Sequence, residues 1–303
     1  MKMSGILPAL VTPFDNEGNL NLSALERLLD RLYRAGVHGI YVCGQTGEGL
    51  QQSVAQRKQV AETALKCSPK DKTVVVHTGA ISTADAVELT RHASKIGVHA
   101  VSSLPPIGKY SFAEIKAYYA AIASTSEVPL LVYYFPAYAP SLNRLDQILE
   151  LCAIPNVTGL KFSATDLFLL SEIKKTGATI FYGTDEMAIA GLLMGADGGI
   201  GSFYNVMPEL FVKLYDLARA GEWKSARAVQ NTINEMIAIG LRYPVNSAVK
   251  AILQRQGTDC GQCLPPRRWL TVEEEADLEA HLGRLTWPKD GSWPASPSGS
   301  SSR

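Results

Sequence analysis

Short β-branched or aromatic runs alternate with longer segments of helical periodicity through the first two thirds of this chain, and that alternation constrains the fold more than any other feature. Runs at 6–12, 39–43, 73–78, 99–103, 130–135, 157–162, 179–183 and 198–202 read as strands. Helix-length segments lie between them. Several carry good starts: Asn21-Leu22-Ser23 ahead of 24–35, Ser82-Thr83 ahead of 84–96, and Tyr110-Ser111 ahead of 112–124. Leu22, Leu25, Leu28, Leu29 and Leu32 place an apolar stripe on one helical face. Crossover helices make consecutive strands parallel, and eight such units within about 200 residues predict a closed α/β structure, the (β/α)8 or TIM barrel. An open doubly wound sheet would need a glycine-rich phosphate turn after its first strand, and Val11-Thr12-Pro13-Phe14 is not one.

After residue 202 the pattern becomes all helical, with segments at 209–220, 223–239, 247–256 and 272–285. The sequence therefore divides into a barrel over 1–220 and a helical extension over 221–286. Residues 287–303, rich in Pro, Ser and Gly, are expected to be a disordered tail without a core of their own. A hydrophobic content of 46% over 303 residues suffices for a sizeable core. The 29 Lys plus Arg balance 29 Asp plus Glu, which leaves no electrostatic reason to hold nucleic acid or an anionic membrane surface. No run approaches the roughly 18 apolar residues of a membrane span. The run at 5–11 is short, contains Pro8 and has Lys2 as the only charge before it, so it reads as a strand and not a signal peptide. Five scattered cysteines argue against a disulfide framework and for a reducing cytoplasm.

Side chains alternate along a strand, so Val157, Gly159 and Lys161 are expected on one face and Thr158, Leu160 and Phe162 on the other. With Leu160 and Phe162 packed on helices, Lys161 points into the barrel, where burial lowers the basicity of an amine and frees it as a nucleophile. A strand-end lysine reaching solvent along its own stem is the structural alternative. Tyr133 ends the fifth strand, where its phenol would move protons or serve as an ordinary core residue. The Gly44–Gly49 loop follows the second strand and either turns backbone amides toward an anion or is a plain turn. Asp185 and Glu186 follow the seventh strand; they suit a polyol or are helix N-terminal acids. The glycine-rich stretch at 195–202 leaves a phosphate site open. The five histidines show no paired helical spacing, and Cys260-Gly-Gln-Cys263 lacks a second pair, so no metal is expected.

Four motifs occur in order: Gly44-x-Thr46-Gly47-Glu48, Tyr133-x-x-Pro136, Gly159-Leu-Lys161, and Gly-Ala-Asp-Gly-Gly-Ile-Gly-Ser at 195–202. Together they resemble the dihydrodipicolinate synthase/N-acetylneuraminate lyase superfamily over roughly 5–285. The resemblance leans to the lyase branch through Ser163, the Thr165-Asp166-Leu167 segment, His77, Ala137 and the Gly183-x-Asp185-Glu186 turn. Tyr138 stands where the synthase branch usually carries arginine, and the 105–109 segment lacks that branch's relay tyrosine.

That resemblance implies a class I aldolase in which Lys161 forms an imine with a 2-keto acid and Tyr133 transfers protons. Thr46 and the loop amides, with Gln45 nearby, would hold the substrate carboxylate. The backbone at Gly183 and the side chains of Ser163, Asp185, Glu186 and Ser202 would bind a hydroxylated tail. The protonated imine is itself an electron sink, so no metal or organic cofactor is expected, and a homotetramer is implied. Two departures stand out: Gln45, where relatives carry a small hydroxyl residue, and Pro140, where lyases have glycine. The alternatives are another 2-keto-acid aldolase or dehydratase, the synthase, and a non-catalytic keto-acid-binding barrel.

Overall fold

The computed structural model describes residues 3–285. The eight strands are β1 (Gly5–Pro8), β2 (Gly39–Val42), β3 (Thr73–His77), β4 (Ala100–Ser103), β5 (Leu130–Tyr134), β6 (Val157–Phe162), β7 (Thr179–Tyr182) and β8 (Gly198–Gly201). Every strand pairing is parallel, and β1 pairs with β8 in the register Gly5 to Gly198. A bridge from Ala9 to Tyr41 brings β1 against β2, so the sheet closes on itself. The expected α/β barrel is therefore the fold.

Helices α1 (Leu22–Arg34), α2 (Val54–Cys67), α3 (Thr83–Ile96), α4 (Phe112–Ala123), α5 (Leu145–Cys152), α6 (Leu167–Lys174), α7 (Ala188–Leu193) and α8 (Pro208–Arg219) follow successive strands. Three more complete the described residues: α9 (Trp223–Gly240), α10 (Val245–Arg255) and α11 (Val272–Leu282). The local chemistry explains the helix starts. The Asn21 side chain accepts from the Ala24 N–H at the head of α1, and Ser111 and Glu114 form a reciprocal capping box at the head of α4. The α1 leucines Leu25, Leu28, Leu29 and Leu32 are all buried against the barrel, whereas Leu22 at the first turn is exposed.

Two apolar layers result. Leu7, Ala9, Tyr41, Val75, Ala100, Leu131, Phe181 and Ile200 fill the barrel interior. A larger cluster lies between strands and helices and includes Leu160 and Phe162, as the alternation predicts. Val157 belongs to that outer cluster too, against the simple alternation. The reason is a register shift: Leu130 pairs with Val157 but Leu131 pairs with Gly159, leaving Thr158 unpaired and exposed. One extra residue in a strand reverses the side-chain parity before it and leaves the parity after it intact. The first strand is also shorter than the predicted 6–12. It stops at Pro8, beyond which only Ala9 bridges to β2. The predicted tail at 287–303 lies outside the described residues.

Candidate active site

At the carboxyl end of the barrel the strands and their following loops line a cavity of about 360 Å³. Lys161 comes from β6, Tyr133 from β5, Gln45 and Thr46 from the β2 loop, Ser163 from the β6 loop, Gly183 and Glu186 from the β7 loop, and Ser202 from the β8 loop. Phe135, Tyr138, Thr184, Ile200 and Gly201 complete the barrel's contribution. The register places Lys161 directly beside Tyr133 across the β5–β6 ladder.

Lys161 is 3% exposed. Its Nζ lies 4.2 Å from the centre of the Tyr133 ring and 4.4 Å from that of Tyr41. Among the described residues no carboxylate stands within ion-pair distance of it. Burial brings its pKa down to about 7, with Asp185 opposing the shift. The ring faces attract a cation but offer no acceptor lone pair, so this amine exists in both protonation states near neutral pH. Burial raises the Tyr133 phenol well above its ordinary value, with Ser163 offsetting part of the shift.

The floor beside this pair is held neutral. His77, at the end of β3, accepts the Leu104 N–H on Nε2 at 3.0 Å, so that nitrogen carries no proton. Burial lowers the His77 pKa well below its ordinary value, and the neighbouring Arg57 guanidinium and Lys161 push in the same direction.

On the β2 side, Thr46 Oγ1 and Ser202 Oγ share a hydrogen bond of 2.6 Å. None of the backbone N–H groups of Gln45, Thr46 and Gly47 donates to another carbonyl among the described residues. Three consecutive unengaged amides beside two hydroxyls make a surface suited to an anion. On the β7 side, Ser163 Oγ donates to the Gly183 carbonyl at 3.5 Å. A Cβ at Gly183 would stand 2.1 Å from that Oγ, so only glycine lets the β6 and β7 loops approach this closely.

Asp185 is the site residue that departs from its sequence-based position. It is buried and absent from the cavity wall, whereas its neighbour Glu186 is exposed and lines it. The Asp185 carboxylate accepts the Phe203 N–H at 2.8 Å, and a Cβ at Gly201 would meet it at 1.9 Å. Burial raises its pKa to about 7, an effect the Phe203 N–H opposes. It thus serves the β8 loop and the electrostatics of Lys161, and a polyol in the cavity would meet Glu186 first.

Sequence reasoning missed the contribution of the helical extension. Asn246, at the start of α10, donates to the carbonyls of Gln45 and Thr46 at 3.2 and 3.1 Å. Arg267, from the segment between α10 and α11, also lines the cavity and donates to Gln45. On α9, Gln230 donates to the Asp185 carbonyl and Asn234 to that of Glu186. The available signal was a buried amide on each helix: Gln230 and Asn246 sit among apolar residues, where an amide needs a specific partner.

Fold and site define the class: a (β/α)8 barrel with a desolvated lysine facing a polar cavity at its carboxyl end. The chain belongs to the dihydrodipicolinate synthetase family, whose model matches residues 2–285. It is 38% identical over 284 residues to the N-acetylneuraminate lyase of Rhizobium meliloti (strain 1021), covering 92% of this chain and 93% of that protein. Among solved structures, the wild-type sialic acid aldolase of Ruminococcus gnavus superposes with a TM-score of 0.89 at 31% identity, covering 93% of this chain and 97% of that one. The catalytic lysine mutant of the same aldolase superposes with a TM-score of 0.88 at 30% identity, covering 93% and 97%. The described residues include no helix long and apolar enough to cross a membrane.

Proposed function

We infer that this protein is a carbon–carbon lyase that forms an imine through Lys161 and releases pyruvate from a sugar acid of the N-acetylneuraminate type. The observation that carries the reading is the desolvated Lys161 amine, set against the Tyr133 ring and open to a cavity with unengaged amides on one side and hydroxyls on the other. The lyase and aldolase relatives support the reaction, and the lysine-mutated aldolase supports an amine at its centre.

Neutral Lys161 attacks the keto carbon of the open-chain substrate, and water leaves as the imine forms. The protonated imine draws electrons from the bond between C3 and C4. As that bond breaks, the C4 hydroxyl becomes an aldehyde and gives its proton to the Tyr133 oxygen. Burial disfavours a phenolate, so Tyr133 acts as a relay that accepts this proton while passing its own toward the enamine carbon. Hydrolysis of the resulting imine returns Lys161 and pyruvate. The protein supplies the electron sink itself, so this route needs no metal or organic cofactor. Thr46 and the loop amides hold the carboxylate, and Ser163, Glu186 and Ser202 take the hydroxylated tail. A homotetramer follows from the family resemblance, and a reducing cytoplasm suits five free thiols.

The test is a comparison of wild-type activities. Pyruvate release from N-acetylneuraminate should exceed condensation of pyruvate with aspartate semialdehyde, and borohydride with pyruvate should leave a reduced adduct on Lys161 by peptide mass spectrometry. Dominant condensation would move the chain to the synthase branch, and no adduct would leave a binding protein.

A further inference from the structure

The cavity wall carries two cationic side chains, Lys161 and Arg267, and the second has no assigned task in the imine reaction. Arg267 is half-buried and has no carboxylate within ion-pair distance among the described residues. One of its terminal nitrogens donates to the Gln45 side-chain oxygen at 3.1 Å and lies 3.4 Å from the Gln45 backbone carbonyl. Its Nε is buried and meets no acceptor.

These contacts fix the orientation of the neighbouring amide. A guanidinium only donates, so the Gln45 atom facing it is the oxygen, and the same oxygen accepts from the Tyr138 hydroxyl at 3.0 Å. The Gln45 Nε2 is thereby committed as a donor on the other side, where it is buried and also unmatched. Arg267 thus lines the cavity as a cation without a carboxylate partner among the described residues, on the same wall as the β2 loop whose amides are unengaged. Charged and neutral donors together bind an anionic acceptor more strongly than a neutral one. Glu186 stands over the β7 end of the same cavity, so its two sides carry opposite charge.

We propose that Arg267, acting with Gln45, is the specificity-determining cation that selects a 2-keto acid by its carboxylate. It enters from the helical extension over the β2 loop. The inference rests on the keto-acid reading above and adds a charged partner for the carboxylate beside the β2 loop.

The experiment measures the concentration of pyruvate, and of its neutral amide pyruvamide, that half-saturates borohydride trapping on Lys161. Arg267→Met should raise the value for pyruvate by on the order of tenfold, the scale of one lost charge-assisted hydrogen bond, while leaving pyruvamide within about twofold. Arg267→Lys, which keeps the charge without the fork, should recover part of the preference for pyruvate. Equal weakening toward both ketones would show that Arg267 merely braces the β2 loop, and unchanged values for both would show that it does not touch the substrate; either overturns the proposal. A wild-type enzyme that traps neither ketone would instead sink the imine reading, and this inference with it.

Discussion

Among the described residues two lysines are buried, one in the barrel and one in the helical extension, and their surroundings could hardly differ more. Lys250, on α10, is 0% exposed and stands 2.8 Å from the equally buried Glu48 carboxylate, with the Gln262 carbonyl accepting from it at 2.8 Å and the Phe14 ring 4.6 Å away. Lys161 instead faces the Tyr41 and Tyr133 rings, with no carboxylate within ion-pair distance among the described residues. Lys250 is a strut. Glu48 also accepts the Leu264 N–H, so the pair ties the β2 loop to the helical extension, and it does so at a residue whose backbone is left-handed, with φ of 56°. An amine with a carboxylate partner is held by its charge, whereas an amine denied one can surrender its proton and attack a carbonyl. Position within the fold, not residue type, separates structure from chemistry here.

Substituting each lysine by methionine should give opposite outcomes. Lys161→Met should abolish pyruvate release, by on the order of 10⁵–10⁶-fold as for loss of a covalent nucleophile, without lowering the melting temperature, because an unpaired buried amine is removed. Retained turnover in that variant would end the distinction between the two lysines. Lys250→Met should instead strand Glu48 and lower stability by about 3–5 kcal/mol in urea denaturation, and Lys250→Met with Glu48→Gln should recover most of it. A single variant as stable as wild type would show that the strut holds nothing.

The smallest effect concerns pH. Trapping of pyruvate should rise with pH through a midpoint near 7, as the ammonium of Lys161 gives way to the amine. Asp185 favours the charged form, so Asp185→Asn should move that midpoint downward while the amide oxygen still accepts the Phe203 N–H. The midpoint belongs to the coupled pair. An upward move would mean that the carboxylate acts on Lys161 through something other than its charge.

Much of the site is legible in the sequence. The parity of Leu160 and Phe162, which must face the helices, turns Lys161 inward, and the structure has both in the outer cluster. The same logic failed for Val157, since a one-residue bulge is invisible to a period-two pattern. Asp185 and Glu186 looked equivalent in the sequence. In the structure the first is buried against Gly201 and the Phe203 N–H, and the second stays exposed at the cavity.

Alternating periodicities in the sequence dictate the parallel barrel, and parity with Leu160 and Phe162 dictates the inward direction of Lys161. Both are properties of neighbours within one segment, where covalent geometry dictates which side chains share a face. The tertiary structure decided which buried lysine is paired and which is not, how the Gln45 amide is turned, and that Asn246, some 200 residues from Thr46, holds the loop that faces the substrate. Desolvation and charge depend on everything that closes around a group, and those surroundings come from distant parts of the chain whose spacing leaves no local pattern to read.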